Sequence, residues 1–123
     1  MRDQWGLITH MYYISWNRSF ENKYVFVYED QSEILGFCEL REDGYIDRFY
    51  TRADSIGQGV GTFLYMTLES KAKELRLSKL FVDASITAKP FFEKMNFSMI
   101  KEKNVSLSGV SFINYLMENQ LSY

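Results

Sequence analysis

From Val60 onward the apolar and small residues recur at Val60, Phe63, Leu64, Thr67, Leu68, Ala72 and Leu75. This is the i, i+3, i+4, i+7 spacing of a helix with one buried side. Ahead of it the pattern shortens to that of strands. Residues 24–28 are dense in Val and aromatics, Asp30-Gln31-Ser32 is a turn, and Glu33–Arg41 is a second strand. Glu42-Asp43-Gly44 then turns the chain back. Asp-Gly between β-type runs is a strong hairpin signal, so Glu33–Arg41 and Tyr45–Thr51 are expected to be antiparallel neighbours. Beyond the helix, residues 79–84 read as a strand, and strand, helix, strand implies a right-handed crossover between parallel strands. Ser85 and Thr87 offer caps for a short helix with Pro90 in its first turn and Ala88, Phe91, Phe92 and Met95 on its buried side. Residues 98–105 and 110–118, joined through Ser108-Gly109, read as a closing hairpin. Residues 3–20 can be drawn as a helix with Leu7, Met11, Ile14 and Arg18 along one side. Trp5, Tyr12, Tyr13 and Trp16 make it apolar over much of its girth, so it would need cover on more than one side. The resulting fold class is α/β (α+β): a mixed, mostly antiparallel sheet with a central parallel βαβ unit and helices packed on it.

Composition narrows the setting. A chain of 123 residues, 46% hydrophobic and 17% aromatic, has material for one core, so residues 1–123 are read as a single domain. Fourteen basic against sixteen acidic side chains, a net charge of -2, do not call for nucleic acid or an anionic membrane as a partner. One cysteine, Cys38, excludes an intrachain disulfide. The N-terminus carries Asp3 and His10 among its apolar residues and lacks the uninterrupted run of a signal peptide or spanning helix. A cytoplasmic protein is the expectation.

The loop before the long helix, Ser55-Ile56-Gly57-Gln58-Gly59-Val60-Gly61-Thr62, carries candidate chemistry. Glycines at alternate positions leave backbone N–H groups unshielded where a first helical turn has no carbonyls to pair with. Those donors and the helix dipole suit an anion, and phosphate is the expected one. No Lys follows the last Gly as a Walker loop requires, and the spacing is not that of a dinucleotide-binding fingerprint.

Two blocks together resemble the GNAT superfamily of acetyl-CoA-dependent N-acetyltransferases. Ile56-Gly57-Gln58-Gly59-Val60-Gly61 is similar to that family's Gln/Arg-x-x-Gly-x-Gly/Ala loop, with Ile56 where Gln or Arg is usual. The run Ala84-Ser85-Ile86-Thr87-Ala88-Lys89-Pro90-Phe91-Phe92-Glu93-Lys94-Met95-Asn96-Phe97 resembles its strand-end Ser or Asn, Ala, and Phe-Tyr-Glu-Lys-x-Gly-Phe. Phe92 stands in the Tyr position and Asn96 in the Gly position. Asn is the next best residue to Gly in a left-handed helix-ending conformation. The resemblance covers residues 24–118. Family members carry a first strand and helix before the segment that resembles residues 3–20, so the chain is expected to start late. An edge left open by that shortening is expected to be covered by a second copy, or the acceptor site to be compromised.

The resemblance implies transfer of acetyl from acetyl-CoA to a primary amine of a small molecule or protein, by direct attack in a ternary complex and without a metal. It implies that the main chain around Phe49, Tyr50 and Thr51 holds the pantetheine arm and acetyl carbonyl. Ile56, Gly57, Gln58, Gly59, Val60, Gly61 and Thr62 would hold the diphosphate, Ser85 would hydrogen-bond the cosubstrate, and Phe92 would pack near its thiol end. An alkylammonium with a pKa of about 10.4 must lose a proton before it attacks, so a general base is required. With Asp43-Gly44 as a two-residue turn, Glu42 faces Tyr45, Leu40 faces Asp47 and Glu39 faces Arg48. Glu39 then reads as half of an ion pair. Asp47 would share its side with Cys38, Leu40, Tyr45 and Phe49, surroundings that raise a carboxylate pKa towards neutrality. Asp47 is therefore the expected base and Asp83 the reserve. Phe92 cannot protonate a departing thiolate, and Tyr50, Tyr65 and Tyr115 are the candidate replacements. His10 and Cys38 read as structural, and Lys71, Lys73, Glu74 and Arg76 as a solvated helix face. The rival reading is a non-catalytic acyl-CoA-binding module.

Overall fold

The structure, a computed structural model, describes the backbone of residues 9–16 and all of residues 23–123. Among the described residues, seven strands form one sheet in the order β1-β2-β3-β4-β5-β7-β6. They are β1 (Thr9–Trp16), β2 (Lys23–Asp30), β3 (Glu33–Arg41), β4 (Tyr45–Thr51), β5 (Lys79–Ser85), β6 (Ser98–Leu107) and β7 (Val110–Gln120). Helix α1 (Val60–Glu74) joins β4 to β5, and the short α2 (Lys89–Lys94) joins β5 to β6. Every neighbouring pair is antiparallel except β4 and β5, which are parallel as the crossover requires.

The expected helix over residues 3–20 is corrected. Residues 9–16 form β1, antiparallel to β2 with a register shift between Tyr13 and Ser15. The rest of that segment lies outside the described residues. Thr9, Tyr12, Tyr13, Ile14 and Trp16 are β-branched or aromatic, the residue types a pleated surface favours. Apolarity around the whole girth of the supposed helix was the mark of a strand. With β1 in place, the edge of β2 that the short start was expected to expose is paired within the chain.

Helix α1 lies over β2, β3 and β4 and buries Val60, Leu64, Tyr65, Leu68 and Ala72 against Phe26, Cys38, Leu40 and Ile46. The buried stripe is rotated from the expected one. Tyr65 is 3% exposed, whereas Phe63 is 41% exposed and stands edge-on to Tyr28. Leu80, Val82, Ala84, Phe92, Phe97 and Met117 extend the same core beneath α2. Asn96 ends α2 at φ 72°, the left-handed conformation expected of it, and the Phe97 N–H reaches back to the Phe92 carbonyl at 2.9 Å. The closing hairpin turns through Ser108 and Gly109 as expected.

Candidate active site

The chain enters α1 through a one-turn 3-10 helix, Ala53–Ser55, and then through Gly57 and Gly59 at φ 86° and 85°. Gly59 is the helix N-cap, and the first helical bond runs from the Phe63 N–H to the Gly59 carbonyl at 3.0 Å. The N–H groups of Val60, Gly61 and Thr62 therefore precede the first intrahelical acceptor, and no acidic side chain stands in that turn. Gly59, Gly61 and Thr62 of this turn line a cavity of about 510 Å³ bounded by the loop, by Phe49 and Thr51 of β4, and by the turn and helix after β5.

The cavity exists because β4 and β5 part. They are paired only at Tyr45↔Phe81 and Ile46↔Val82. Gly44 starts this contact: its carbonyl accepts from the Phe81 N–H at 3.0 Å, and a Cβ there would lie 2.4 Å from the Lys79 carbonyl oxygen. One residue past the last paired rung, β4 is bulged. Glu39 faces Arg48 as expected, but Leu40 faces Ile46 and Asp47 has no partner of its own. A bulge adds twist and bends its strand, so β4 follows β3 while β5 follows β7, leaving a wedge between them.

The bulge overturns the expected surroundings of Asp47. Cys38 and Leu40 are buried under α1, while Asp47, with its side chain 32% exposed, meets the Lys23 ammonium at 2.5 Å. Lys23, itself 5% exposed, also donates to Glu39 Oε1 at 3.3 Å, and Arg48 Nε stands 3.6 Å from the same oxygen. Asp47 thus sits in a charged cluster spanning β2, β3 and β4. Asp83 is the first β5 residue past the last rung, as Asp47 is on β4. Tyr45 Oη donates to Asp83 Oδ2 at 3.1 Å, and Lys103 Nζ stands 2.7 Å from Oδ1, an ion pair without hydrogen-bond geometry. Burial, then the charge and hydrogen bond of Asp83, then Asp47, push the Tyr45 phenol up to about 12. The two carboxylates belong to the first residues past the last rung of the two strands, each has a lysine beside it, and neither lines the cavity.

Eight residues expected at the cosubstrate, Phe49, Thr51, Ile56, Gly57, Gly59, Gly61, Thr62 and Phe92, line this cavity. Four do not. Val60 is buried in the core, and Gln58 turns away to donate from Nε2 to the Asp54 carbonyl at 3.2 Å. The Tyr50 ring packs on Phe37, 5.6 Å between centroids, although its backbone remains on the wedge strand. Ser85 Oγ accepts from the Ala88 N–H at 3.1 Å and so organises the turn into α2. Thr87, Ala88, Phe91 and Lys94 also line the cavity and escaped the sequence reading. The three-residue spacing of Ala88, Phe91 and Lys94 could have found them, because it aligns residues on one side of a helix.

Phe92, 3% exposed, is held by ring contacts with Phe49, Phe91 and Phe97 at 5.2–5.7 Å. None of the tyrosines considered as its substitute lines the cavity. Tyr65 Oη accepts from Asn119 at 2.9 Å behind Phe97, and burial pushes its pKa well up. Tyr115 lies beneath Lys89, 4.8 Å from ring centroid to Nζ. Cys38 is fully buried, with burial and then Glu39 raising its thiol pKa.

The family model described as an acetyltransferase (GNAT) domain matches residues 7–119. The chain belongs to the GNAT acetyltransferase family. Its GNAT domain is 33% identical over 102 residues to the uncharacterized N-acetyltransferase YafP of Escherichia coli (strain K12), covering 83% of this chain and 64% of that protein. A crystal structure from Rhodopseudomonas palustris described as a GCN5-related N-acetyltransferase, aminotransferase class II, superposes with a TM-score of 0.76 at 31% identity, over 80% of this chain and 62% of the other. The chain thus spans less than two thirds of the length of both relatives. A putative streptothricin acetyltransferase from Bacillus anthracis in complex with acetyl coenzyme A shares the GNAT fold with a TM-score of 0.74 at 17% identity, over 85% of this chain and 66% of that one.

Proposed function

We propose that this GNAT chain transfers an acetyl group from acetyl-CoA to a primary amine of a small molecule or protein, by direct attack within a ternary complex. The observation that carries this reading is the continuity of loop, cavity and wedge. The glycine turn at the start of α1 lines an apolar-walled space whose other walls are the end of β4 and the turn and helix after β5, the two strands that part beyond Ile46 and Val82. Loop amides from Gly57 to Thr62 would receive the diphosphate, and the β4 main chain from Phe49 to Thr51 would receive the pantetheine arm and thioester carbonyl. That carbonyl gains negative charge as nitrogen attacks, and in other acyl-transfer enzymes one fixed donor at such an oxygen is worth about 2.7 to 4 kcal/mol. The ammonium first gives one proton to a carboxylate; a C–N bond then forms as the C–S bond breaks, CoA departs with the electron pair as thiolate, and the second proton, shed by nitrogen as it becomes an amide, passes to that thiolate through solvent. Asp47 is assigned this base role. Lys23 anchors its carboxylate, and its partial exposure leaves it reachable. Asp83, across the wedge, is the alternative. The fit to acetyl-CoA is supported by the cavity itself and by the family. A cytoplasmic setting and a homodimer belong to the same proposal.

A second reading, an acyl-CoA-binding module without turnover, is favoured by Phe92, because among the described residues no tyrosine lines the cavity. A thiol of pKa about 8.5 is a fair leaving group without a donor, which favours the enzyme. Free CoA released from acetyl-CoA with polyamines, aminoglycosides, amino acids and peptide N-termini decides between them. Amine-dependent release is expected, and binding without release on any amine supports the module.

A further inference from the structure

Lys94 is the one ionisable side chain among the twelve described residues that line the cavity. It sits in the last turn of α2, three residues beyond Phe91, whose Cε1 would stand 3.3 Å from a Cβ placed on Gly61. That contact docks α2 against the first turn of α1, and within the shared lining Lys94, Ile56 and Gly57 are exposed whereas Phe92 is buried, which sets Lys94 towards the open end of the cavity. The neighbouring cations are committed elsewhere. Lys89 pairs with Glu93 and covers Tyr115, while Arg52 is held by Asp54 and Glu33. Among the described residues no carboxylate lies within ion-pair distance of Lys94.

Resting on the acyl-CoA reading, we propose that Lys94 is a cationic clamp for a phosphate group of the cosubstrate at the outer mouth of the cavity. CoA carries a diphosphate and a 3′-phosphomonoester, and a row of main-chain amides accommodates one of these without neutralising the other. A flexible cation facing the amides from the second helix supplies a charge-assisted contact on the opposite side. The phosphomonoester carries about 1.5 to 2 negative charges at neutral pH, so it is the stronger attractor.

The test is calorimetric titration of the wild type, Lys94→Met and Lys94→Arg with CoA and with dephospho-CoA, at low and high salt. Lys94→Met is expected to bind CoA about tenfold more weakly and with a shallower salt dependence, and Lys94→Arg to recover most of that loss. Loss for CoA alone assigns the clamp to the 3′-phosphate. Equal loss for both ligands assigns it to the diphosphate. Unchanged affinity for both overturns the proposal, while absence of heat with the wild type instead overturns the acyl-CoA reading on which it rests. Lys94 is exposed, so equal melting temperatures of the apo proteins are expected to confirm that the variants fold.

Discussion

Replacing Asp47 by Asn separates its two roles, because Glu39 provides a matched control. Both carboxylates contact the same buried ammonium, at 2.5 Å from Asp47 and 3.3 Å from Glu39. Asp47→Asn leaves Lys23 with Glu39, and Glu39→Gln leaves it with Asp47. Hydrogen bonds to charged groups contribute roughly 1.5–3 kcal/mol, and the remaining carboxylate spares Lys23 the larger penalty of an isolated buried charge. Each variant is therefore expected to lose about 1.5–3 kcal/mol in urea unfolding. Catalysis should divide them. Loss of a general base lowers kcat by roughly 10²–10⁴-fold, so Asp47→Asn should release CoA from acetyl-CoA that much more slowly, with cosubstrate affinity by calorimetry within about threefold of wild type. Glu39→Gln should keep kcat within about threefold despite a similar stability loss. If Glu39→Gln slows turnover as much as Asp47→Asn, the effect passes through the ion-pair cluster and Asp47 is not the base. An unchanged kcat in Asp47→Asn moves the role to Asp83.

Gly59→Val is expected to weaken CoA binding at least tenfold while sparing kcat at saturation. A Cβ there meets nothing within 4 Å, so the cost arises from φ 85° and from re-aimed loop amides, and unchanged affinity would reject the loop as the phosphate site. Gly36→Ala places a Cβ 2.7 Å from the Tyr50 carbonyl oxygen and 2.9 Å from Leu64, where β3, β4 and α1 meet. Such overpacking costs about 1–3 kcal/mol, and an unshifted urea midpoint would contradict the close approach. Tyr45 yields an alkaline signature. Its folded pKa, about 12, lies above the usual 10, so the protonated phenol contributes stability in full below pH 10 and loses it as pH rises towards 12. Urea midpoints from pH 9 to 12 should fall more steeply for wild type than for Tyr45→Phe, and parallel curves would refute the raised phenol pKa that burial and Asp83 together produce.

What the chain dictates locally was legible in its order of residues. The start of α1 at three alternating glycines, the bounds of β3 and β4, the left-handed Asn96 and the closing hairpin all follow from period, turn chemistry and capping, which act over a few neighbouring residues. Tertiary structure alone decided the identity of β1, the turning away of Gln58 and Tyr50, and the environment of Asp47. A strand is stabilised by the partner it pairs with, so residues 9–16 carry apolar content that suits either period until β2 is beside them. The bulge has the same origin. One unpaired residue between Ile46 and Arg48 changes which side Asp47 faces, and that slip depends on how the three-residue turn 42–44 and the Gly44 contact with β5 fit together in space. The ion pair between Lys23 and Asp47 and the place of Lys94 in the cavity wall were hidden for this reason too, since each joins elements that only the folded sheet brings together.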